Sequence, residues 1–149
     1  MSRFEYSSWI DAPVEAVFGF HERPDALELL TPSWPPVKVL RRPTSLAVGT
    51  IVELRIGIWP LAVHWVALHR AYEANHLFVD EQRSGPFARW VHSHYFTPER
   101  GGTNLQDSVD YALFGGAVAE RLVGWLVRRQ LTAMFKHRHQ VTREHVTMK

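Results

Sequence analysis

The chain is expected to fold as an α+β domain in which a curved antiparallel sheet of about seven strands grips one long C-terminal helix, in the order β-αα-β6-α, with a cavity between them. Three observations predict this. Residues 37–113 run as successive stretches of alternating apolar and polar residues joined by short turns, the pattern of an antiparallel meander. From Ala117 to about Val146 there is no proline and a single glycine, Gly124, while Val118, Leu122, Trp125, Leu126, Leu131, Met134, Phe135 and Val141 supply a broad apolar face. About 30 residues of helix would be roughly 45 Å long, far beyond the ordinary helix, and would need the sheet to lie against.

The elements follow in order. Arg3–Trp9 reads as a first strand. Asp11-Ala12-Pro13 marks a helix start, with Asp11 placed to cap it and Pro13 suited to its first turn. Val14, Val17 and Phe18 then share a face, and Arg23-Pro24-Asp25 opens a second short helix, Ala26–Leu30. Three prolines make Thr31–Pro36 a stiff loop carrying Trp34. Strands follow at Val37–Arg42, Ile51–Ile58, Leu61–Tyr72, Leu77–Arg83, Ala88–Phe96 and Thr103–Leu113. Trp59-Pro60, Ser84-Gly85-Pro86 and the stretch Thr97–Gly102 read as turns. Gly115-Gly116 separates the last strand from the helix.

The 149 residues fit one domain spanning 1–149, large enough to bury a core without staples. There is no cysteine, which excludes disulfides, thiolate nucleophiles and Cys-based zinc sites and suits a cytoplasmic location. The N-terminus lacks the apolar core of a signal peptide, and no stretch is long and apolar enough for a membrane-spanning helix. Net charge is +2, but Ala117–Lys149 holds seven Lys/Arg against two Glu, a local +5. No nucleic-acid motif accompanies these charges, so no nucleic-acid partner is expected. The first half of the helix is more apolar than one stripe requires. It would be covered by loops or a second copy of the chain, or touch lipid, beside Arg128-Arg129.

The opening Ile10-Asp11-Ala12-Pro13-Val14-Glu15-Ala16-Val17-Phe18, the Val48-Gly49-Thr50 turn, Gly102-Thr103 before the last strand and the terminal helix together resemble the helix-grip fold of the START / Bet v 1-like (SRPBCC) superfamily over essentially the whole chain. Asp80-x-Gln82-x-x-Gly85-Pro86-Phe87-x-x-Trp90-x-His92-x-His94-x-Phe96 resembles its bacterial cyclase/dehydrase-like branch. The resemblance implies a cavity for a hydrophobic or amphipathic molecule such as a lipid, quinone or aromatic polyketide, and does not by itself imply a reaction.

On the strand Ala88–Phe96, Trp90, His92, His94 and Phe96 share one face, and their larger apolar bulk places it inward. A turn across 97–102 sets His94 opposite Leu105, His92 opposite Asp107 and Trp90 opposite Val109; a two-residue slip would set Asp107 opposite His94. Leu105, Asp107, Val109 and Tyr111 are inward either way. On the other side, Gln82 falls near Trp90 and Asp80 near His92, whereas a one-residue change would turn Val79 and Glu81 inward.

The candidate catalytic groups are therefore His92, His94, Asp107 and Asp80. A carboxylate beside an imidazole orients the ring and raises its pKa while burial lowers it, so such a pair could act as general acid and base in aldol or dehydration chemistry. The same residues could instead be hydrogen-bonded polar groups fixing a pocket floor. Two histidines at i, i+2 with a carboxylate could also hold a metal, but no specific metal motif is present and none is assigned. Ligand contacts are expected from Trp34, Trp65, Gln82, Trp90, Phe96, Val109, Tyr111, Leu122 and Trp125, with Trp34 and Trp59 placed for the pocket mouth. Arg55 and Arg83 would meet a ligand's acidic group or lie on the solvent face. With no Gly-rich nucleotide fingerprint, phosphate loop or nucleophile elbow, no cofactor is expected. The leading reading is a binding or carrier protein for an apolar small molecule. A cyclase/dehydratase-type enzyme and a stress or cell-division accessory protein acting through its long helix are the alternatives.

Overall fold

A computed structural model describes residues 1–58 and 60–147. Seven strands, β1 (Ser2–Ile10), β2 (Val37–Arg41), β3 (Ile51–Ile56), β4 (Val63–Glu73), β5 (Leu77–Ser84), β6 (Arg89–Glu99) and β7 (Gly102–Ala112), form one antiparallel sheet in the order β1-β7-β6-β5-β4-β3-β2. The helices are α1 (Val14–His21), α2 (Ala26–Leu30) and α3 (Gly116–Val146). This is the expected α+β helix-grip arrangement: a meander closed by its first strand, with one long helix against its concave face. Trp59, expected in a turn and at the pocket mouth, lies outside the described residues.

The β6–β7 hairpin is tighter than the expected turn over Thr97–Gly102. The strands continue to Glu99↔Gly102, and only Arg100 and Gly101, at φ 50° and 77°, make the loop. Two consecutive positive φ values match the right-handed twist of the flanking strands. Pro98 is tolerated inside β6 because β5 pairs with β6 only as far as Leu77↔Tyr95, so no neighbour needs its missing N–H. The register is therefore the two-residue alternative: Phe96 faces Leu105, His94 faces Asp107, His92 faces Val109 and Trp90 faces Tyr111. A slip of two leaves every side chain on its face, so Trp90, His92, His94 and Phe96 are buried as expected.

Asp11 does not cap α1. Ala12 N–H donates to the Ile10 carbonyl, which turns the chain tightly there, and Pro13 is the residue that flanks the helix, its carbonyl accepting from Ala16 and Val17. Val14, Val17 and Phe18 then pack on Ile10, Phe78, Phe96 and Leu105 in one core cluster. A second cluster joins Phe4, Trp90, Val109 and Tyr111 of the sheet to Leu131 and Phe135 of α3.

The long helix is used unevenly. Gly124, Leu131, Phe135, His139 and Thr142 are its buried face, at the three- and four-residue spacing of one helical stripe. Val118, Leu122 and Trp125 lie on the opposite side and are 67%, 69% and 64% exposed. The expectation that they share the sheet-facing stripe is thus corrected: the sheet covers only one side of the helix, and the N-terminal turns carry their bulkiest apolar residues outward. Arg128 reaches back, its guanidinium over the Phe4 ring and donating to the Arg3 carbonyl. Among the described residues no helix is long and apolar enough to cross a membrane.

The two sides of α3 should respond differently to truncation. Phe135→Ala, emptying a fully buried site, should cost about 3–5 kcal/mol. Leu122→Ser on the outward face should change stability by less than about 0.5 kcal/mol. Urea unfolding of the two variants checks this; a large loss in Leu122→Ser would reverse the assignment of the faces.

Candidate functional site

Between the sheet, α2 and the middle of α3 lies a cavity of about 400 Å³. Its walls are largely apolar: Leu54, Ile56 and Trp65 from β3 and β4, Phe87 and Trp90 around the start of β6, Leu131 and Met134 from α3, and Leu27 and Leu30 from α2. Trp65 stands edge-on to Trp90 at 5.1 Å and to Phe87 at 5.8 Å, which makes an aromatic wall. The Pro-rich loop contributes Trp34, which is 72% exposed and also lines the cavity, placing it at the mouth.

One end of the cavity is polar. Two-residue alternation on β6 points both His92 and His94 there, and their rings stack with centroids 3.7 Å apart. Asp80 of β5 lies opposite His92 in the strand register, as expected. Its Oδ2 accepts from His94 Nε2 at 2.8 Å and lies 3.9 Å from His92 Nδ1. Behind the histidines, Asp107 of β7 accepts from His92 Nε2 at 2.7 Å and lies 3.2 Å from His94 Nδ1. The second oxygen of Asp107 accepts from His139 Nε2 at 2.6 Å, and His139 Nδ1 meets the Ser8 hydroxyl.

Burial alone would push both carboxylates towards their neutral forms. The imidazole partners outweigh it: hydrogen bonds from His139, His92 and His94 hold Asp107 well below the usual carboxylate range, and His94 with the nearby His92 holds Asp80 at about 2. Burial lowers His92, with the neighbouring His94 adding to it. Burial also opposes the charge on His94, but its bonds to Asp107 and Asp80 prevail and its pKa is raised. The two stacked rings are thereby driven apart, His94 towards the cation and His92 towards the neutral base, as a poised acid–base pair requires. Asp80, His92 and His94 also bring ligand atoms within 4.8 Å of one another and could hold a divalent ion; in this structure Asp80 is bonded to His94, and His92 to Asp107.

The structure separates the expected site residues by where it places them. Trp34, Trp65, Trp90, His92, His94 and Asp80 line the cavity, with Asp107 one layer behind. Phe96, Val109 and Tyr111 are fully buried core, filling space beneath the site without lining it. Gln82 is turned to its own hairpin, where its amide donates to the Phe87 carbonyl and accepts from the Phe87 N–H. Leu122 and Trp125 are on the outer surface, because the helix turns its other side to the cavity. Arg55 and Arg83 are on exposed strand positions.

Sequence reasoning missed His139, Ser8, Arg138, His69 and His21. The spacing Leu131, Phe135, His139, Thr142 marks His139 as part of the buried helical face, and that signal was available. Ser8 comes near His139 only through the pairing of β1 with β7, which sequence alone leaves open. His21, at the end of α1, lines the cavity and donates from Nδ1 to the Val17 carbonyl. Burial lowers it to about 4.

A histidine neutral in the fold and protonated when unfolded makes the protein less stable as pH falls below the unfolded value. His21 should remove about 3 kcal/mol between about pH 6.5 and pH 4. Its replacement His21→Gln should flatten the fall of urea midpoint with pH over that window by a corresponding amount. An unchanged slope would show that His21 is not held neutral.

The sequence profile described as "Polyketide cyclase / dehydrase and lipid transport" matches residues 10–135. A search of curated protein sequences finds no match. Among solved structures, a nucleoside-diphosphate sugar epimerase from Corynebacterium glutamicum is 27% identical with TM-score 0.72, over 95% of this chain but 28% of that one. This chain therefore corresponds to little more than a quarter of that protein. Norcoclaurine synthase from Thalictrum flavum (12% identity, TM-score 0.72, 99% and 87% of the two chains) and Ara h 8.0201 (15%, 0.66, 95% and 97%) share the fold. With the helix-grip architecture, the cavity between sheet and helix and this profile in agreement, the chain belongs to the polyketide cyclase/dehydrase and lipid transport family of the SRPBCC (START / Bet v 1-like) superfamily.

Proposed function

We propose that the protein binds an amphipathic, mostly apolar small molecule in the cavity, as a binding or carrier protein. The observation that carries this reading is the division of the cavity into a long aromatic and aliphatic wall and one polar end. An apolar body gains roughly 25 cal/mol for each Å² taken from water, and a few converging polar groups fix its orientation. Trp34 at the mouth and Trp65 and Trp90 within give tryptophan fluorescence a direct view of occupancy.

A second reading, acid–base catalysis on the bound molecule, is favoured by one specific observation. His92 and His94 are each hydrogen-bonded to a carboxylate and both face the cavity. A proton could pass from His94 through the Asp80 carboxylate, which lines the cavity, to a ligand oxygen, while His92 Nδ1, which makes no hydrogen bond among the described residues, accepts one from the same molecule. A polyketide, the class after which the matching family is described, would suit this chemistry.

Native mass spectrometry of the purified protein, followed by fluorescence titration with lipid, quinone and aromatic panels, tests the binding reading. Ala133→Trp, which would fill the cavity from α3, should weaken any ligand found at least about tenfold. A protein with no co-purifying mass and no response to any panel would refute it. For the catalytic reading, His92→Ala and His94→Ala should each lower turnover of an identified substrate about 100-fold or more while leaving its binding within a few-fold. Unchanged turnover in both would leave binding alone.

A further inference from the structure

Arg138 lines the cavity with a buried side-chain donor that has no hydrogen-bond partner among the described residues. It is carried on the inner side of α3, between Phe135 and His139, and its side chain lines the cavity beside His92, His94 and Asp80. The Arg138 guanidinium carbon lies over the Phe135 ring, 5.9 Å from its centroid. The other charged groups of the cavity have partners on the protein. Asp80 is bonded to His94, the histidines to Asp107, and Arg23 near the mouth to Asp25. The Arg138 Nε is shut off from solvent and has no hydrogen-bond partner among the described residues. Asp107 and Asp80 act on the guanidinium only through space.

An arginine fork presents donors in one plane, and that plane matches the two oxygens of a carboxylate. Leaving the buried Nε–H donor unmatched is unfavourable, and a ligand oxygen beside it would satisfy it. A ligand that enters with its apolar body along Trp65 and Trp90 brings its leading end to this fork. We propose that Arg138 is the head-group anchor of the cavity and that the ligand is an amphipathic carboxylic acid, bound with its carboxylate on the guanidinium and its apolar body against the aromatic wall. This rests on the binding reading above and specifies which amphiphiles the cavity selects. It also separates recognition from the histidines: Arg138 selects the head group, whether or not His92 and His94 then do chemistry on the bound molecule.

The test uses the full chain and matched probes: naphthalene-2-carboxylic acid with its methyl ester, and decanoic acid with methyl decanoate and decan-1-ol. Affinities are measured near neutral pH, where both acids are ionised. In the wild-type protein each acid should bind about tenfold or more tightly than its ester or alcohol. Arg138→Gln should abolish that preference, weakening the acids about tenfold or more and the neutral probes less than about twofold; Arg138→Lys should retain part of it. The neutral probes serve as the control that the cavity of each variant is intact. Equal binding of acid and ester in the wild-type protein, or acid affinity unchanged in Arg138→Gln, overturns the anchor while leaving the binding reading in place. Failure of every probe, acid and neutral, to bind the wild-type protein overturns both.

Discussion

One buried carboxylate organises this molecule. Asp107 projects from β7 into the space under α3 and is bonded to His92 of β6 and His139 of α3, with His94 of β6 at 3.2 Å; Ser8 of β1 extends the chain through His139. Two strands and the long helix therefore meet at two oxygen atoms, and a third strand joins them through His139. A buried carboxylate without such partners would be strongly unfavourable, and a partly satisfied network would be worse than an apolar core. The dependence is mutual. The cavity keeps its polar end because the histidines are held, and the histidines are held because the helix crosses the sheet at the height of Asp107. The apolar clusters set how tightly helix and sheet pack; the carboxylate sets where along each other they stop.

What the sequence revealed, and what it concealed, follows from the range of the interactions involved. Period-two alternation is local, so the inward set on β6 and β7 could be read directly, and a register error of two residues left it intact. The register itself depended on whether Pro98 belongs to a turn or a strand. That was decided by how far β5 extends alongside β6, a non-local fact. The direction of the helix was harder. Val118, Leu122 and Trp125 look like core when the helix is read alone, and only the stripe continued by His139 and Thr142 shows which side faces the sheet. Polar residues on that stripe hid it from a search for apolar periodicity. Arg138 was concealed for the same reason: a basic residue in a basic helix reads as solvated unless the cavity beneath it is known.

The solved structures that share this fold at 12% and 15% identity include a biosynthetic enzyme, norcoclaurine synthase, alongside Ara h 8.0201. The scaffold is thus shared, and the directional chemistry of this chain's cavity lies in the lining of one end. Aromatic rings at the wall are indifferent to which apolar body they meet. The imidazoles, Asp80 and the Arg138 guanidinium are directional, and discrimination between ligands of similar bulk must come from them.

The uneven seating of α3 has a mechanical consequence. From Leu131 onward the helix is clamped by the sheet and by α1 and α2; before it, Val127 packs on the second core cluster and Arg128 reaches the Phe4 ring and the Arg3 carbonyl, while the turns N-terminal to them are mostly exposed. The helix is built as a cantilever, anchored at its C-terminal half and projecting its first turns beyond the support. Helical order in the projecting part is propagated from the anchored part rather than secured in place. Backbone amides should therefore open in a gradient along a single continuous helix, fastest near Gly116 and slowest beneath Phe135, with the polar end of the cavity at the rigid root of the beam.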